Sequence, residues 1–160
     1  MSFVRFRPLV ASEVSLIETA SLGTLNWCGP RFTLDDLRSD PELAHYAKLI
    51  PERGDFGIVA EQDDMPVGVV WALCLPRTDP GYGFVDEDTP ELALWVHPNN
   101  RRQGLGRTLL RELANEAASR RYNQISLSVE EDNHSKKLYS SEGFKEVPGK
   151  EADGVMLLKL

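Results

Sequence analysis

Arg101-Arg102-Gln103-Gly104-Leu105-Gly106-Arg107 stands between two segments of opposite character. Before it lies the apolar run Glu91-Leu-Ala-Leu-Trp-Val96, which reads as a strand. After it, the apolar positions 105, 109, 110, 113, 114 and 117 recur at helical spacing, and the helix is expected to run to about Arg120. A turn between strand and helix that is rich in glycine and arginine suits a phosphate-bearing ligand. The first turn of a helix leaves N–H groups unpaired and carries partial positive charge, and glycine lets the backbone approach an anion closely.

The charge distribution points the same way. The 160-residue chain carries 18 basic and 25 acidic residues, a net of −7, which argues against nucleic-acid binding through a basic surface. Yet residues 101–121 hold Arg101, Arg102, Arg107, Arg111, Arg120 and Arg121 against only Glu112 and Glu116. A basic cluster on an acidic protein fits a small anionic ligand. The length suggests one domain over residues 1–160. No apolar run approaches a membrane span. The first twenty residues include Arg5, Arg7, Glu13 and Glu18 and lack the apolar core of a secretory signal, so a cytoplasmic location is expected. Cys28 and Cys74 make no disulfide framework. Trp27-Cys28-Gly29-Pro30 is followed by Arg31 where a dithiol motif needs cysteine, so Cys28 reads as a loop thiol and Cys74 as core. His45, His97 and His134 lack ligand spacing, and no metal site is expected.

Around this centre the chain alternates strands and helices. Phe3 to Arg7 reads as a strand ended by Pro8, and Ser12 as the cap of a helix reaching about Trp27. Thr33 to Arg38 reads as a helical turn. Asp40-Pro41 reads as cap and first position of a helix through about Leu49. Asp55–Glu61 and Val67–Leu75 read as strands joined by a turn at Asp63-Asp64-Met65-Pro66, the second strand being buried on both faces. A long loop follows from Pro76 to Pro90. Gln124–Val129 reads as a strand, Asn133–Glu142 as a short helix closed by Gly143, and Phe144–Val147 and Val155–Leu160 as closing strands. The class is α+β with a mixed sheet.

Two familiar phosphate motifs do not fit. A Walker A loop needs lysine and then serine or threonine after its last glycine, and Gly106 is followed by Arg107. A dinucleotide fingerprint needs a third glycine where Leu109 stands.

The chain resembles the GNAT superfamily of acyl-CoA N-acyltransferases. Arg101, Gly104 and Gly106 match its motif, which is arginine or glutamine, two residues, glycine, one residue, then glycine or alanine. Val96-His97-Pro98 before it, Leu138-Tyr139 and Gly143-Phe144 after it, Val4–Pro8 at the start and Gly154–Leu158 at the end are similar to the family as well. The resemblance implies a mostly antiparallel central sheet, splayed at the cofactor site and flanked by about four helices. It implies acetyl-CoA as cofactor, with its pyrophosphate on the amides of Gln103, Gly104, Leu105, Gly106 and Arg107. Arg101, Arg102 and Arg107 are then candidates for phosphate contacts. A backbone N–H at Trp95 or Val96 would hold the thioester oxygen. Tyr139 matches the family's general acid, and Glu91 the place where some members carry a base acting through water. Many members have asparagine seven residues before the catalytic tyrosine; here that place is Asp132, and Asn133 follows it. Asn133 is thus a candidate cofactor contact or a plain helix cap.

The acceptor implied is a small-molecule or peptide amine, and a homodimer is one assembly the family adopts. Trp27, Phe32, Tyr82 and Phe84 are aromatic candidates for the acceptor wall, and the acids of the 76–90 loop fit either a cationic substrate or a solvated surface. Two other functions stay open: a non-catalytic acyl-CoA-binding or sensing domain of the same fold, and a nucleotide-binding module.

Overall fold

The run from Val67 to Leu73 forms the spine of the molecule and is buried throughout. Val69, Trp71 and Leu73 of this strand, β3 (Met65–Leu73), pack with Ile17 and Ala20 of α1 (Val14–Leu25). Val70 and Ala72 join a second cluster with Leu109, Leu110 and Leu113 of α4 (Leu105–Ser119). Apolar side chains on both faces demand cover on both, which explains a continuous rather than an alternating pattern. The computed structural model, which describes residues 3–160, therefore places one sheet between helical layers.

Seven strands lie in the order β1-β2-β3-β4-β5-β7-β6. The others are β1 (Val4–Pro8), β2 (Phe56–Gln62), β4 (Glu91–Val96), β5 (Gln124–Ser128), β6 (Lys145–Glu146) and β7 (Val155–Lys159). All neighbours are antiparallel except β4 and β5, which α4 joins by a crossover. Those two are in register at one position only, Glu91 opposite Ser126. There the Ser126 N–H donates to the Pro90 carbonyl at 3.0 Å. The architecture is the α+β, mostly antiparallel, splayed sheet expected. Its α-helices among the described residues number five, with α2 (Leu34–Ser39), α3 (Pro41–Ala44) and α5 (Ser135–Ser141) completing the set.

Several boundaries differ from expectation. Ser12 does not cap α1; Glu13 precedes the helix, accepts the Val10 N–H and pairs with Arg7. The helix expected from Asp40 to Leu49 is cut to four residues and a 3₁₀ turn, His45–Ala47. The Tyr46 carbonyl is taken by the Trp71 indole N–H at 2.9 Å, a tertiary bond that draws the chain onto the sheet. The hairpin turn is Asp63-Asp64 alone, both at positive φ as a two-residue type I′ turn requires, so Met65 and Pro66 belong to β3. Cys74 is half-buried rather than core, with its thiol 3.3 Å from the Tyr122 hydroxyl.

The loop from Pro76 to Pro90 is pinned to the seam between β4 and β5. The Ser126 hydroxyl donates to the Gly83 carbonyl at 2.7 Å. Among the described residues no helix is long and apolar enough to cross a membrane, and no cluster of His, Cys, Asp and Glu is placed to hold a metal ion.

Candidate active site

Where β4 and β5 part, a cleft of about 640 Å³ opens. Strand alternation decides which backbone groups face it. The His97 N–H donates to the Val67 carbonyl at 2.8 Å, and Trp95 lies opposite Val69 in the same ladder. In an antiparallel pair, alternate residues turn both N–H and C=O to the same neighbour. Trp95 therefore gives its amide to β3, which corrects the expectation of an open N–H there. Leu94 and Val96 turn toward β5, which has already diverged, and they line the cleft. The Trp95 side chain also lines the cleft. The Val96 carbonyl accepts the Arg101 Nε–H at 3.2 Å.

At the end of β4 the glycine–arginine turn closes the cleft. Arg102 has φ +62° and Gly104 φ +79°. Turns that carry left-handed residues are a setting in which backbone amides form an anion-binding concavity. At position 104 a side chain would cost about 1–2 kcal/mol in this conformation. The Thr108 N–H donates to the Gly104 carbonyl at 3.1 Å, so the amides of Leu105, Gly106 and Arg107 precede the helical ladder and have no partner in it. No acidic residue occupies the first turn of α4. Arg101, Arg102, Gly104, Leu105, Gly106 and Arg107 all line the cleft; Gln103 is exposed and stands outside the lining. Arg107 is shared with Glu142, at 2.5 Å, and Arg111 joins the same carboxylate at 2.7 Å. The two guanidiniums, Arg111 foremost, hold the Glu142 carboxyl below its ordinary range.

α5 forms the opposite wall. The Phe144 N–H bonds the Tyr139 carbonyl at 3.1 Å, and Gly143 at φ +99° ends the helix, which fixes the rotation of Tyr139 into the cleft. Its ring is buried edge-on to Phe144 at 5.9 Å, and its hydroxyl bonds no group among the described residues. Burial pushes its pKa up to about 12. Asn133 lines the cleft and accepts the Ser135 N–H at 2.9 Å, while the cap position of α5 falls on His134, so Asn133 is not the plain helix cap; Asp132 is not part of the lining.

Glu91 occupies the other end of the cleft and is 4% exposed. Its Oε2 accepts the Tyr46 hydroxyl at 2.6 Å, while Oε1 is buried with no partner among the described residues. Burial pushes its pKa up to about 7, against the lowering effects of the Tyr46 hydroxyl and of the Gly83 backbone. The Tyr46 hydroxyl in turn accepts the Tyr82 N–H at 2.7 Å. No local sequence signal marks Tyr46, because only tertiary folding brings it to Glu91. Trp27 and Arg31 stand at the mouth, both bonded to Glu130 beyond β5. Trp27 and Tyr82 line the cleft as expected. Phe32 and Phe84 lie outside the lining, beside Arg31 at 5.5 Å and Arg77 at 5.8 Å. The loop acids do not line it either. Asp79 meets His45, Asp86 accepts from Asp88 and Thr89, and Glu87 accepts the Arg77 N–H, so these carboxylates fold the loop.

Residues 53–146, more than half the chain and most of this cleft, match the family described as acetyltransferase (GNAT) domain. This chain belongs to the GNAT family. Solved structures agree on the fold. An acetyltransferase of the GNAT family from Staphylococcus aureus Mu50 is 16% identical over 99% of both chains, with a TM-score of 0.74. The PaiA N-acetyltransferase of Thermoplasma acidophilum, solved with coenzyme A, is 16% identical over 99% of both chains at 0.66. The ribosomal-protein-alanine N-acetyltransferase of Brucella melitensis is 23% identical over 98% of this chain and 99% of that one, at 0.67. No curated protein matches the sequence. The span matched to GNAT takes in β4, the turn, α4 and Tyr139. Trp27, Arg31 and Tyr46 lie before it.

Proposed function

We propose that this GNAT protein transfers the acetyl group of acetyl-CoA to a primary amine by direct attack. The observation that carries the reading is the meeting of an unpaired strand edge, an anion-binding turn, Tyr139 and Glu91 in one cleft. Acetyl-CoA fits that donor set. Leu105, Gly106 and Arg107 offer free amides beside Arg102, and Leu94 and Val96 offer an open edge to an extended amide-bearing arm. When bound, it supplies the acetyl group as an activated thioester.

The residues divide the work. Val96 N–H would hold the thioester oxygen as negative charge develops on it. Glu91 would take the proton that the acceptor must lose, since a free alkylammonium has a pKa of about 10. Burial narrows the gap by raising Glu91 to about 7. As the nitrogen–carbon bond forms, the carbon–sulfur bond breaks and the pair leaves with sulfur. Tyr139, held at about 12, keeps its proton at neutral pH and donates a hydrogen bond to that sulfur. Full transfer to a thiolate whose acid has a pKa of about 8.5 would be uphill, so the bond itself is the stabilising element. Asn133 would sit beside the arm while its Oδ1 holds the Ser135 N–H.

The test is acetyl-CoA presented with a panel of primary amines, each product identified by acetyl gain in mass. Turnover with at least one amine supports transfer. Coenzyme A binding without turnover on any amine would replace catalysis by binding or sensing.

A further inference from the structure

Glu91 is a poor direct contact for an amine. Its Oε1 is sealed: a Cβ on Gly81 would lie 2.1 Å from it, so the 76–90 loop rests directly on that oxygen. Oε2 is covered by the Tyr46 hydroxyl at 2.6 Å. Tyr46 is less buried than Glu91 and lines the cleft. A phenol oxygen has one O–H to give and two lone pairs. The O–H points to Glu91, and one lone pair takes the Tyr82 N–H at 2.7 Å. The second lone pair has no partner among the described residues.

We propose that Tyr46 is a catalytic residue that relays the proton of the acceptor ammonium to Glu91. The reading rests on Glu91 as the base. The ammonium N–H bond breaks and its proton passes to the Tyr46 oxygen while the Tyr46 proton passes to Glu91 Oε2. Ammonium and carboxylate become amine and carboxylic acid, and Tyr46 ends as it began. The role suits a phenol whose own ionisation is pushed far out of range by burial and by Glu91, because it never holds a negative charge. Other groups near the relay point elsewhere. The Tyr82 hydroxyl donates to Glu42, His45 meets Asp79, Ser126 bonds Gly83, and Arg31 meets Glu130.

The experiment compares kcat/KM against pH for the wild type, Tyr46→Phe, Glu91→Gln and the double variant, with coenzyme A affinity measured on each. The relay predicts that both single variants lose about 10- to 10²-fold at neutral pH, lose the same acidic limb and are no worse when combined. Gly81→Ala, whose Cβ would press on Glu91 Oε1 at 2.1 Å and the Tyr46 hydroxyl at 2.5 Å, disturbs the pair without removing either group and is expected to lower kcat at unchanged coenzyme A affinity. If Tyr46→Phe keeps the limb that Glu91→Gln abolishes, at near wild-type rate, the relay is wrong and the base stands. If Glu91→Gln matches the wild type at every pH, the base reading fails and takes the relay with it.

Discussion

Glu91 and Tyr139 are both buried and both have raised pKa values, with opposite consequences. For Tyr139 the shift extends a hydrogen-bond donor already present at neutral pH further into the alkaline range. For Glu91 it brings a carboxylate toward the pH at which an amine must be deprotonated. The shift also has a stability cost whose sign is fixed. Because the folded pKa of Glu91, about 7, exceeds its ordinary 4.5, the folded state binds the proton more tightly than the unfolded one. Its stabilising contribution is complete below about 4.5 and is lost as pH rises through 7. Glu91→Gln keeps a Tyr46 acceptor but cannot ionise. Urea unfolding at pH 8 should therefore find it more stable than the wild type by about 1–3 kcal/mol, with the difference shrinking toward pH 5. An equal difference at both pH values would refute the burial assignment.

At the scale of elements, the turn before α4 does by backbone geometry what arginines alone would do less selectively. Gly104→Val puts a β-branched side chain at φ +79°. It should weaken coenzyme A binding at least tenfold by calorimetry and cost about 1–2 kcal/mol of stability. Unchanged affinity would mean that the turn amides do not hold the phosphates. This element was legible in the sequence because its signals are local: an apolar run of strand length, glycines at fixed offsets and a 3.6-residue apolar period. The register of Tyr139 was legible for the same reason, through Gly143 and Phe144. What escaped was set at long range. Trp95 and Val96 look alike in sequence as oxygen holders, and only the pairing of Trp95 with Val69 separates them. The helix from Asp40 is shorter than its local sequence predicts because the Trp71 bond to the Tyr46 carbonyl is invisible to local propensity. The same distance hides Tyr46 from Glu91 in the sequence, and the acids of the 76–90 loop, which by composition fit either a cationic substrate or a solvated surface, tie the loop together.

Across the whole molecule, sheet topology makes the site. One parallel pair in an antiparallel sheet, joined by α4, leaves β4 with an edge in the interior. The rest of the fold must hold that opening against collapse. Asp55 contributes at the far end of β3, fully buried, bonding the amides of Ile50 and Cys74 and the Arg53 guanidinium. Asp55→Ala would strand those donors and should cost about 2–4 kcal/mol in denaturant midpoint analysis, with coenzyme A affinity intact below the transition. A midpoint equal to wild type would remove Asp55 from the framework. Whether this opening performs acetyl transfer is read from amine-stimulated thiol release from saturating acetyl-CoA. Wild type and Tyr139→Phe are compared, with coenzyme A affinity measured on the same preparations. Acetyl transfer requires stimulated release by the wild type, about 10²-fold slower release by Tyr139→Phe, and equal affinity. Equal rates in the two proteins, or no stimulation by any amine while coenzyme A still binds, would contradict it.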